Sequence, residues 1–79
     1  MASVRCHAAI VDGSIVRNAL VRYSSDIIPG DTCGVTVHAE EFSVVPMEHE
    51  QHSTVDFNGV AVITGSEISF IPISEYLRR

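Results

Sequence analysis

SVRCHAAIVDGSIVRNALVRY, residues 3–23, is the stretch whose reading decides the fold. Asp12-Gly13 sits in its middle. A type I′ turn needs positive φ at both central positions, and Asp-Gly supplies it at little cost. Residues 3–11 alternate loosely and are rich in β-formers and alanine, so they read as the first arm of a hairpin. Residues 14–23 read as the return strand. A helix over 15–23 competes, since Ile15, Ala19 and Tyr23 keep a spacing of four. Val16, Val21 and the preceding turn favour strand. In a regular strand Arg17 and Arg22, five apart, lie on opposite faces; a bulge near Asn18 brings them to the same one.

Working outward, the pattern repeats strand after strand. Residues 24–32 are punctuation, with Pro29-Gly30 as a turn pair. Residues 32–38 alternate around Val35 and Val37, and Ala39-Glu40-Glu41 makes a corner. Residues 42–47 form another strand, with Pro46 marking its end or a sheet edge. After the polar run MEHEQHS, residues 54–57 put Val55 and Phe57 on one face. Asn58-Gly59 reads as a second hairpin turn into a strand over 60–64. Gly65-Ser66 turns again into residues 67–71, where Pro72 stops the strand. Ser74 is positioned to cap one helical turn over residues 75–79, whose Arg78 and Arg79 suit its C-terminal end.

Six or seven short strands at regular spacing predict an all-β single domain over residues 1–79, a small barrel or two-sheet sandwich with a C-terminal helical turn. Alternation predicts a core of Val4, Ile10, Val21, Val35, Val37, Phe42, Val44, Val55, Phe57, Val62, Ile68 and Phe70. At 79 residues with 46% hydrophobic composition the chain is globular yet short of core. Chains of this size often rely on a disulfide, a metal or oligomerisation. No apolar run reaches the length of a membrane span, and Arg5, His7 and Asp12 interrupt the first residues too often for a signal peptide. The expectation is a cytoplasmic protein, with Cys6 and Cys33 as buried thiols rather than a bridge.

Charge is unevenly spread. There is no lysine. Arg5, Arg17 and Arg22 lie early, and residues 25–77 then hold nine acids and no Arg or Lys. So acidic a surface repels phosphate backbones, which argues against nucleic-acid binding through it. The arginines are candidates for self-association, facing the acids of a neighbouring copy in a homo-oligomer. The partner-binding candidates are Glu40, Glu41, Glu48, His49, Glu50 and His52, an acidic set suited to docking on protein.

His38, His49 and His52 form the alternative, a metal site; the competing reading of the same residues is a solvated loop. EHEQH, residues 48–52, is not the zinc-peptidase pattern, which places its histidines four apart. No phosphate-binding glycine loop and no nucleophile elbow occur. Cys33 near His38 lacks an evident activating environment. The expectation is a non-enzymatic protein–protein interaction module without a cofactor.

ALVRYSSDIIPGDTCGVTVHAEEFSVV, residues 19–45, resembles the core of tailed-phage head–tail joining proteins. The matching pieces are Val21-Arg22, Gly30-Asp31-Thr32, Glu40-Glu41 and Phe42-Ser43-Val44, in that order. The chain departs from that pattern in having no helical N-terminal arm and in adding a hairpin over residues 54–71. The resemblance implies an oligomerising virion component at a joint or on a capsid. Two rival readings remain at this level: a small acidic inhibitor of the phage anti-defence kind that binds a basic host protein, and a metal-dependent module built on the three histidines.

Overall fold

The computed structural model describes residues 1–30, 35–47 and 54–78. The chain is all-β, with one helical turn at its end. Its strands are β1 (Ala2–Val11), β2 (Ser14–Tyr23), β3 (Val35–His38), β4 (Phe42–Pro46), β5 (Val55–Asp56), β6 (Gly59–Thr64) and β7 (Glu67–Pro72), followed by α1 (Ile73–Tyr76). All seven belong to one sheet in the order β3-β7-β6-β1-β2-β4, with β5 also paired to β1. Among the described residues the sheet does not close: β3 and β4 end its path, and β5 pairs on one side only. The expected all-β fold forms, and the expected barrel or two-sheet sandwich is met only loosely, by a single sheet curled around one face.

The curl follows from the core. Between β2 and β7 lie β6 and β1, so in a flat sheet their axes stand about 14 Å apart. Yet the rings of Tyr23 on β2 and Phe70 on β7 are 5.7 Å apart, and Phe57 meets Phe70 edge-on at 5.6 Å. Both distances suit favourable aromatic pairing. Val4, Val21, Tyr23, Val37, Ile68 and Phe70 are fully buried around this cluster. Tyr23 carries a polar tip into it, and its hydroxyl donates to the Ile27 carbonyl at 2.5 Å. Small residues fill the rest: Ala2, Cys6, Ala9, Ala19, Ala39 and Ala61 all belong to the core.

The Asp12-Gly13 hairpin forms as expected, with φ of 50° and 83°, and β2 is a strand rather than a helix. Gly65, at φ 59°, opens the turn between β6 and β7. Asn58-Gly59 is a correction. It makes no hairpin, because β5 and β6 both run parallel to β1 along the same side of it. Gly59 answers a packing demand instead: a Cβ there would lie 2.2 Å from the Ile71 carbonyl oxygen and 2.4 Å from the Phe57 ring. Ser74 is also corrected. It lies inside α1, whose N-cap is Pro72 without a side-chain cap bond.

Four expected core residues are elsewhere. Ile10 and Val62 are neighbours across β1 and β6 on the outward face, and both are half-buried. Phe42 and Val55 are 38% and 37% exposed. Phe42 pairs with the buried Tyr23, so it has the inward parity, but among the described residues no strand lies beyond β4 to cover it.

Candidate functional site

The outward face of the β1–β2 hairpin owes its character to one irregularity. Core-facing positions on β1 run Ala2, Val4, Cys6 and then Ala9, an odd step; on β2 they run Tyr23, Val21, Ala19 and then Val16, again odd. Both strands change parity at the same level. There His7 and Asn18 face each other and are missing from an otherwise continuous ladder. Asn18 adopts φ 52°, a conformation Asn tolerates better than other side-chain-bearing residues. The parallel neighbour breaks at this level too: one extra residue separates the β5 register on β1 from the β6 register.

The parity change decides where the arginines go. Val16 packs toward the core, so Arg17 points away from it; Val21 and Tyr23 are buried, so Arg22 also points away. Arg5 lies opposite Leu20 on the same outward side. All three self-association candidates thus share one exposed face. None has a carboxylate within salt-bridge distance among the described residues.

A polar notch opens at the irregularity, a cleft of about 350 Å³ lined by Arg5, Cys6, His7, Asn18, Asp56, Phe57 and Asn58. Arg5 Nε donates to Asn18 Oδ1 at 3.3 Å, and Asn18 Nδ2 donates to the Met47 carbonyl at 3.3 Å. His7 Nε2 and Asn58 Oδ1 are 2.6 Å apart. The Met47 N–H returns to the Asn18 carbonyl at 2.7 Å, and the Phe57 N–H donates to the Arg5 carbonyl at 2.8 Å. These bonds tie β1, β2, the end of β4 and the β5–β6 junction together where the ladder lapses. Cys6 forms the floor as a buried free thiol, and burial pushes its pKa up to about 12. A thiol held protonated in this way is not a nucleophile.

The acids described lie mainly elsewhere. His38 and Glu67 face each other across β3 and β7. Glu40 follows at the corner, with its Oε1 3.2 Å from His38 Nε2, and Ser66 Oγ is 3.3 Å from His38 Nδ1. Glu41 ends the corner, its carbonyl accepting from the Ser24 N–H. Of the partner-binding candidates, Glu40 and Glu41 are exposed at this corner. Glu48, His49, Glu50 and His52 lie outside the described residues. So do two of the three candidate metal ligands, His49 and His52. Among the described residues no three His, Cys, Asp or Glu side chains group to hold a metal ion, and no helix is long and apolar enough to cross a membrane.

The notch escaped the sequence reading because its residues are scattered from Arg5 to Asn58 and meet only through β1's two parallel neighbours. The available signal was Asn18, a residue of low β-propensity inside a β-rich run. Searches against known protein families, characterised proteins and solved structures find no match to this chain.

Proposed function

We propose that this chain is a non-enzymatic protein–protein interaction module that assembles with copies of itself, as a virion-type structural component of the head–tail joining kind that residues 19–45 resemble. The observation that carries the reading is charge segregation. Arg5, Arg17 and Arg22 share one outward face and none forms an ion pair among the described residues, although Asp56 stands beside Arg5 across β1 and β5, while Glu40 and Glu67 gather beside His38. Segregated faces of opposite sign steer copies together and fix their orientation more than they add affinity. The short core and the open sheet edges fit the same role, since small domains gain stability by association.

Native mass spectrometry across a salt series tests the reading. A defined oligomer at low salt that sheds subunits as salt rises is expected, because exposed ion pairs are screened. Replacing Arg17 and Arg22 by Glu weakens assembly, and reversing Glu40 and Glu67 to Arg in the same chain restores it. A monomer at every salt and protein concentration refutes the proposal.

A further inference from the structure

β4 is an edge strand of the sheet, and none of its residues is fully buried. Its backbone polarity can be read from its two ends. The Ser24 N–H donates to the Glu41 carbonyl at 2.9 Å, and the Met47 N–H donates to the Asn18 carbonyl at 2.7 Å. In an antiparallel pair, hydrogen-bonded positions alternate with those whose N–H and C=O point the other way. Glu41, Ser43, Val45 and Met47 therefore direct their backbone groups to β2. Phe42, Val44 and Pro46 direct theirs outward, past the edge. Pro46 checks this assignment, since a proline is tolerated in a strand where the lost N–H would have faced solvent.

We infer that this edge is a docking strand for β4 of a second copy, paired antiparallel about a two-fold axis to make one sheet continuous across the dimer. The edge is self-complementary. Two adjacent registers are available, centred on Ser43 or on Val44. In either one, the Phe42 and Val44 N–H groups of both copies find an acceptor on the other strand: Val44 and Phe42 carbonyls in the first, Val44 and Pro46 carbonyls in the second. Pro46 then removes a donor only at the end of the ladder. Phe42 gains the cover it lacks, from Val44 or Pro46 of the partner copy.

Charge does not oppose this pairing. Centred on Ser43, the ladder brings Glu41 of one copy opposite Val45 of the other, in the row of Leu20 and Arg5. Centred on Val44, it brings Glu41 opposite Met47, in the row of Asn18, toward which Arg5 already leans through its Nε. In the first register Glu41 and Arg5 of the other copy stand three strand spacings apart, about 14 Å, so their attraction is screened at physiological salt and the backbone carries the pairing. The two Arg22 side chains stay three strand spacings apart, about 14 Å, which exceeds the screening length at physiological salt.

The inference rests on the self-association reading and adds a β4 contact to the arginine–acid contact of that reading. The test compares the full chain with Val44→Pro and Ser43→Glu by sedimentation equilibrium and native mass spectrometry. Val44→Pro removes an outward donor that β2 does not use. Ser43→Glu sits beside Arg22 within its own chain, which the monomer tolerates, and sets two carboxylates opposite each other in the Ser43-centred register or on a diagonal of about 7–8 Å in the Val44-centred one. Both variants are expected to keep the β-sheet circular dichroism and to weaken dimerisation about tenfold or more. Should Val44→Pro unfold, Ser43→Glu decides alone. A wild-type oligomer that both folded variants retain with unchanged affinity overturns the β4 interface while leaving self-association standing. A wild-type chain that is monomeric throughout overturns both.

Discussion

Gly59→Ala isolates the close approach on which the β5–β6 junction depends. The added methyl would meet the Ile71 carbonyl oxygen at 2.2 Å and the Phe57 ring at 2.4 and 2.8 Å. The ring can move only by disturbing its edge-on contact with Phe70. The carbonyl belongs to β7 and cannot rotate without leaving the β6–β7 ladder. Overpacking of this kind costs about 1–3 kcal/mol, and a rigid backbone atom puts this site at the upper end. A domain of this length loses about 4–8 °C of melting temperature per kcal/mol. Gly59→Ala should therefore melt about 12–24 °C below wild type, a large part of the few kcal/mol such a core supplies. Two further glycines set the scale. A Cβ at Gly30 meets nothing within 4 Å, so Gly30→Ala should be neutral or stabilising by up to about 1 kcal/mol. Gly65, at φ 59°, has space but the wrong backbone for alanine, so Gly65→Ala should cost about 1–2 kcal/mol. Thermal melts followed by circular dichroism give the order directly. Gly59→Ala melting within about 3 °C of wild type would refute the close-packing account of this junction.

Asn18→Val should destabilise by about 2 kcal/mol or more, through positive φ at a β-branched residue and loss of the bonds to Arg5 and the Met47 carbonyl, whereas Asn18→Gly should lose only the side-chain bonds; chemical denaturation of the pair separates backbone from side chain. Cys6 should resist iodoacetamide in the folded protein and react on unfolding, as read by mass spectrometry of the modified peptide. Its folded pKa of about 12 stands above the ordinary 9.0, and Tyr23 is likewise raised from 10.0 to about 12 by burial and by the neighbouring Cys6. Both groups hold their protons more tightly when folded, so their contribution is complete below about pH 9 and is lost as pH rises toward 12. Stability measured against pH should fall on that alkaline limb, and Cys6→Ala should move its onset toward the tyrosine range.

The strand succession was legible because its signals are local. Asp12-Gly13 and Gly65-Ser66 fix their turns through backbone conformation alone, and alternation at Val35–Val37 and Ile68–Phe70 survives folding. Asn58-Gly59 misled because the same dipeptide serves two needs. Positive φ makes a hairpin; absence of a Cβ permits close packing, and only the packed neighbours Phe57 and Ile71 reveal which need is met. Phe42 and Val55 misled for a related reason. Alternation gives the face on which a side chain projects, but not whether another strand covers it, and β4 is an edge. The alanines of the core carried no hydrophobic signal, since their role is to let strands curl closely around the aromatic cluster. Of the candidate site, the three arginines were visible as residues, yet their common face hinged on Asn18.

That dependence connects fold and surface. A hairpin with unbroken alternation would carry Arg17 to the core side of β2, where a guanidinium without a partner is costly to bury. It would also turn Ala9 and Val16 outward and open the core around Ile63. The paired change of parity at His7 and Asn18 avoids both outcomes with the register intact, so each half of the hairpin presents apolar residues inward and arginine outward. Its consequence is local: a lapse in the β1–β2 ladder, where side chains of Arg5, His7, Asn18 and Asn58 help to hold adjoining strands together. The polar notch is thus the structural counterpart of the basic face. Disturbing Asn18 should loosen Arg5 as well as the sheet, and on the proposed reading it should weaken self-association at the one point where the hairpin departs from regular geometry.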